Sequence, residues 1–179
     1  MRYENIADIY SANEKFHKQL AAKLSEISSD EAAALPEGEK WSINQIVEHV
    51  SMVDFGITRI CSKLLEAAKA DGTRSDGSFS LSANFNERAA VIAGIKVEAP
   101  ERVHPTGDMT IDDAIEKMSA NRAVFDSMQA DLASFDLSGH KFPHPFIGDM
   151  DAGEWLAMAG LHKQRHMKQI EGLLAKIRK

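Results

Sequence analysis

Leu161-His162-Lys163-Gln164-Arg165-His166-Met167-Lys168-Gln169-Ile170 is the stretch that decides the fold. It reads as helix. Its two histidines lie four residues apart, about one helical turn, so both imidazoles leave the same face. Trp155, Ala159, Ile170, Leu173 and Ile177 continue that face with apolar residues. Two polar, metal-competent rings therefore point inward, where burial is costly unless they are hydrogen-bonded or bound to something. His49 shows the same oddity in a second helical segment, on the stripe Ile46, Val53, Ile57 and Ile60. Three inward histidines on two helices form a candidate open metal site. The spacing also fits satisfied core histidines or a coincidental surface pair.

Working outward, the helical segment of this stretch starts near Asp151, with Glu154 at capping-box distance. It runs to the C-terminus, where Lys176, Arg178 and Lys179 suit the negative end of the helix dipole. Three further segments carry the same period. The first spans residues 4 to 27, with Ile6, Ile9, Phe16, Leu20, Leu24 and Ile27 inward. The second runs from a Ser42–Gln45 capping box to about residue 70. The third runs from residue 110 to about residue 134, with Thr110 as N-cap and Asp112 and Asp113 in the first turn. No segment shows sustained strand alternation. The fold expected is all-α, a four-helix bundle with a long crossover between the second and third helices.

That crossover, residues 71–109, is too long for a structureless loop, and a short helix is expected near residues 84–94. Its length lets the second and third helices run parallel. A faint echo links His104-Pro105-Thr106-Gly107-Asp108-Met109 to His144-Pro145-Phe146-Ile147-Gly148-Asp149-Met150. Either the two are similar helix entrances, or both close one mouth of the bundle.

With 179 residues the chain forms one domain, 1–179, large enough to bury a core without staples. A net charge of −6 leaves no electrostatic footprint for nucleic acid or an anionic membrane. No run approaches the ~18 apolar residues of a membrane span. The N-terminus lacks a signal-peptide core. The single Cys61 fits a reducing, cytoplasmic setting, and reads as a small buried hydrophobe.

Zinc and nickel accept neutral imidazole nitrogen, and a catalytic zinc typically keeps three protein ligands and one open position. Lys163, Gln164 and Arg165 stand between the paired histidines, so the glutamate of a zincin protease is missing. Asn13 and Arg122 fall on inward stripes and are candidates to orient a ligand or bind an anionic group; the alternative is a rim position. Gln169 could support His166 or sit at the helix edge. Trp41 and Trp155 read as packing at helix starts. His17, His104, His140 and His144 read as surface residues, with His144 the first exception to expect. Val47, Val50 and Leu65, with Leu156, Met167 and Leu174, exceed what one narrow stripe needs. They widen the core face or supply a homodimer patch.

The segment Trp41-Ser42-Ile43-Asn44-Gln45-Ile46-Val47-Glu48-His49 resembles the Trp-Ser-x6-His signature of the DinB/YfiT-like superfamily. His144-Pro145-Phe146-Ile147-Gly148-Asp149-Met150, Glu154-Trp155-Leu156 and His162-x3-His166-x2-Gln169-Ile170 resemble that family's C-terminal signature in order and spacing. The resemblance covers essentially the whole chain. It implies a divalent metal ion, zinc or nickel, held by His49, His162 and His166. It also implies a small-molecule substrate and a metal-dependent enzyme, either a thiol S-transferase using a low-molecular-weight thiol or a hydrolase. The alternative is a non-catalytic, metal-stabilised binding or stress-response module. No general base is identified.

Overall fold

The computed structural model describes residues 2–95 and 97–179. Side-chain caps set where its helices begin. Asn5 accepts from Asp8 N–H at the start of α1 (Ile6–Leu24). A capping box of Ser28 and Glu31 opens the short α2 (Ser29–Ala33), inside what reads as a polar connection. Ser42 and Gln45 form the expected box at α3 (Ile43–Asp71), which stops at Gly72, φ +74°. α4 (Ala83–Ala93) is the crossover helix. Thr110 and Asp113 box the start of α5 (Ile111–Ser134). Asp151 and Glu154 box the start of α6 (Ala152–Ile177). Each box satisfies two backbone donors that a helix start would otherwise leave bare.

Helix directions follow from the side-chain bonds between them. Asn121 donates to Ser51 O, and Lys69 pairs with Asp131 further along both helices, so α3 and α5 run parallel. Asn13 donates to Leu156 O and Arg178 to Glu26 O, so the chain runs the same way through α1 and α6. Asp54 meets Lys163 while Cys61 meets Ala152 O, so α3 and α6 are antiparallel. The order is up, down, down, up. Two successive down helices require the chain to return along the bundle between them, and the crossover does this.

The core forms two layers. One gathers Ile9, Ile57, Cys61, Leu64, Phe125, Leu132, Met150 and Trp155; the other Leu20, Leu24, Ile43, Ile46, Val50, Met118, Ile170 and Leu173. Met109 packs on the second and Ile147 belongs to the first. The two echoing segments therefore enter helices at opposite ends, and do not close one mouth.

One strand pair departs from the purely helical expectation. β1 (Phe142–His144) and β2 (Gly148–Met150) form an antiparallel hairpin leading into α6. Three residues per strand, one of them Pro143, are too few for an alternation to register. The apolar surplus is spent inside: Val47, Val50, Leu65, Leu156 and Leu174 are buried, and Met167 packs on the core. These residues widen the core face.

At Gly160 α6 lies close against side chains of α1. A Cβ there would lie 2.0 Å from Asn13 Oδ1 and 3.1 Å from Phe16 Cδ2. Gly160→Ala is expected to destabilise by about 1–3 kcal/mol, the usual cost of overpacking. An unchanged urea midpoint would show that α1 yields freely.

Candidate metal centre

α3 supplies His49 from its second turn, and α6 supplies His162 and His166 from its middle. Their three Nε2 atoms converge: His162 Nε2 is 3.2 Å from that of His49 and 3.0 Å from that of His166. His49 and His166 are buried and His162 is half-buried.

The outer nitrogens fix what the inner ones offer. His49 Nδ1–H donates to Val103 O at 2.7 Å, on a single 3-10 turn (Glu101–Val103) of the crossover. His166 Nδ1–H donates to Gln169 Oε1 at 2.9 Å. Both acceptors are carbonyl oxygens, so each Nδ1 carries the proton and each Nε2 presents a lone pair. His162 can give a proton on Nε2 to one of these lone pairs, but not to both. A cation satisfies all three nitrogens at once. Zinc–imidazole bonds of ~2.0–2.1 Å in tetrahedral array put their nitrogens ~3.3 Å apart, close to the spacing here. His162 Nδ1 is buried and has no partner among the described residues. The outer support thus reaches two of the three rings.

Electrostatics favours the same state. Burial holds all three histidines below their usual pKa, His162 well below and His166 at about 3, and the neighbouring rings push His162 and His166 further down. Neutral imidazole is the form a metal takes. For the metal-free fold the sign is direct. A folded pKa below the unfolded value of ~6.5 means the unfolded chain binds more protons between the two. The stability of the apo protein is therefore expected to fall as pH drops below ~6.5 and on toward about 3. Metal affinity of the folded protein should likewise hold at pH ~6 and fail lower, whereas exposed histidine ligands would fail near ~6.5. Zinc titrations across that range check this; a midpoint at ~6.5 would contradict the burial.

The crossover roofs the site and is fastened on two sides. Glu48, beside His49, accepts from Thr106 N–H and O–H and from Gly107 N–H. Arg165, beside His166, donates to Ile92 O and Ile95 O at the end of α4. Trp41 is half-buried and packs on the second core layer at the start of α3: its ring lies 5.0 Å from that of His49, with His104 edge-on to it at 6.0 Å.

Other candidates go elsewhere. His144 Nδ1 accepts from Phe146 and Ile147 N–H inside its own hairpin, and burial takes its pKa to about 4. His104 is exposed and donates to Ala99 O; His140 meets Asp71. His17, expected at the surface, is half-buried. Asn13 and Arg122 bond to Leu156 O and to Asp126 and Glu14, with no bond to the imidazoles. Gln169 is both exposed at the helix edge and a support of His166. Cys61 is fully buried, and burial pushes its thiol far up, which suits an inert hydrophobe. Among the described residues no helix is long and apolar enough to cross a membrane.

One feature of the interior goes beyond what the sequence pattern suggests: Lys163 and Asp54, both buried, pair at 2.5 Å between α6 and α3. A signal exists, since Asp54 occupies an inward position between Val50 and Ile57.

Comparison with known proteins agrees with this architecture. The model of the DinB superfamily matches residues 13–170, so the chain belongs to that superfamily. It is 21% identical over 159 residues to the uncharacterized protein YuaE of Bacillus subtilis (strain 168), covering 87% of this chain and 90% of that one. Among solved structures it is similar to TT2238, a four-helix bundle protein, with a TM-score of 0.61 and 21% identity, over 93% of this chain and 98% of the other. At that identity the likeness concerns the fold.

Proposed function

We propose that His49, His162 and His166 hold one divalent cation, zinc or nickel, and that the protein uses it to act on a small molecule. The observation that carries the reading is the convergence of three Nε2 atoms, two with their lone pairs set by carbonyl acceptors. Such an ion supplies Lewis acidity at an open position, lowering the pKa of a low-molecular-weight thiol or of water. The chain's own part is to keep the ligands neutral and oriented. Val103 O and Gln169 hold two tautomers, burial holds the charge off, and Trp41 with the crossover shields His49 from solvent. The activity is thiol transfer to an electrophile, or hydrolysis.

Metal analysis of protein purified without chelator, or reconstituted with zinc or nickel, is expected to find about one ion per chain. A panel of thiols against model electrophiles, with and without chelator, is expected to show a chelator-sensitive rate. A protein that takes up no ion would end the reading. One that binds the ion but shows neither turnover nor a group titrating near neutrality would be a metal-stabilised binding module.

A further inference from the structure

We infer that the bundle interior holds one bound water, away from the histidines, bridging Asp54 to Asn13. A cavity of about 20 Å³ lies where the four long helices meet, lined by Asn13 and His17 from α1, Asp54 from α3, Arg122 from α5 and Lys163 from α6. Asp54 is 1% exposed. Its Oδ2 takes the bond from Lys163 Nζ, while its Oδ1 is buried and accepts from no group among the described residues. Asn13 Oδ1 is buried and likewise accepts nothing. The Asn13 amide is not free to turn, because its Nδ2 is spent on Leu156 O at 2.9 Å.

Two bare acceptors on residues that line one cavity call for a donor of two hydrogens. Tyr10 O–H goes to Phe125 O, and Arg122 Nε and Nη2 to Asp126 and Glu14, and none of the lining side chains, His17 and Lys163 included, donates to either bare oxygen. Size and charge then select the ligand. One water needs roughly 10–15 Å³ of such space and two to four polar partners, so one water fits and an organic molecule does not. A bare metal cation is opposed by the Lys163 ammonium already on Asp54. The water donates to Asp54 Oδ1 and Asn13 Oδ1, and accepts one of the Lys163 protons that Asp54 leaves over.

This hydration matters for the fold. A buried carboxylate with one oxygen bare carries a desolvation cost that its ion pair alone does not offset. With the water in place α1, α3 and α6 share one polar node. That node sets α3 against α6 in the register that also brings His49 to His162.

A high-resolution crystal structure of the wild-type protein is expected to show a density peak at hydrogen-bond distance, about 2.7–3.1 Å, from both Asp54 Oδ1 and Asn13 Oδ1. A well-ordered map with no peak there, or with a side-chain donor filling the cavity, would overturn the inference. In solution, water relaxation dispersion counts long-lived internal waters. The double variant Asp54→Leu, Lys163→Met, whose apolar pair is of a kind cores tolerate, is expected to hold one fewer than wild type. An equal count in the two proteins would also overturn it.

Discussion

His166→Ala is expected to weaken zinc binding by at least about 100-fold, and His49→Ala to do the same from the other helix. The scale comes from comparison with outer partners. Losing a group that merely orients a ligand typically costs ~10–100-fold in affinity. Gln169→Leu should fall in that band, since it leaves His166 present but no longer holds its Nδ1–H. Loss of a ligand must exceed it, because two nitrogens cannot replace three. Isothermal titration of the apo proteins gives all three numbers together. Wild-type affinity in both alanine variants would remove the metal site altogether. Equal losses in Gln169→Leu and His166→Ala would instead mean that orientation controls the binding.

Lys163→Met is expected to destabilise the fold by about 3–5 kcal/mol, because it strands a buried carboxylate. That is a large part of the ~5–15 kcal/mol that holds a typical domain together. Asp54 already sits above the usual carboxylate range through burial, with Lys163 pulling it back down. Without the ammonium its carboxyl takes up a proton more readily. The sign follows. A folded pKa raised above the unfolded one gives stability that is present at low pH and lost as pH rises through the folded value. The penalty of Lys163→Met should therefore be greatest at neutral pH and shrink toward acid. Replacing both partners should cost far less than replacing one. Denaturant unfolding of the two single variants and the double, at neutral and acid pH, decides this. A Lys163→Met variant as stable as wild type at neutral pH would show that the interior is wetter than the packing implies.

What the sequence discloses here follows from what kind of signal each feature leaves. The ligand set is legible because histidine is rare on an apolar stripe and its spacing repeats over one turn. The helix starts are legible because capping uses side chains at fixed offsets: Ser42 with Gln45, Thr110 with Asp113, Asp151 with Glu154. Crossover length permits α3 and α5 to run parallel without requiring it, since their direction rests on contacts such as Asn121 with Ser51 O. The Lys163–Asp54 pair is hidden because a lysine between two histidines reads as a solvated face. It becomes visible only when Asp54, far away in sequence, is known to lie opposite. The hairpin before α6 is hidden because Pro143 and three-residue strands carry no period.

The partner of His49 Nδ1 has a consequence of a different kind. Its acceptor is the main-chain oxygen of Val103, a group every amino acid carries. Mutational drift at this position can alter the side chain without touching the bond, so Val103→Ala should bind zinc as wild type does. Gln169 has no such freedom, since its oxygen sits at the end of a side chain. Of the two supports, the glutamine is thus written in the genetic code and the carbonyl only in the path of the chain. Among diverged descendants of the same ancestor, the glutamine can be followed by reading letters. The carbonyl will persist unseen wherever the crossover keeps its course.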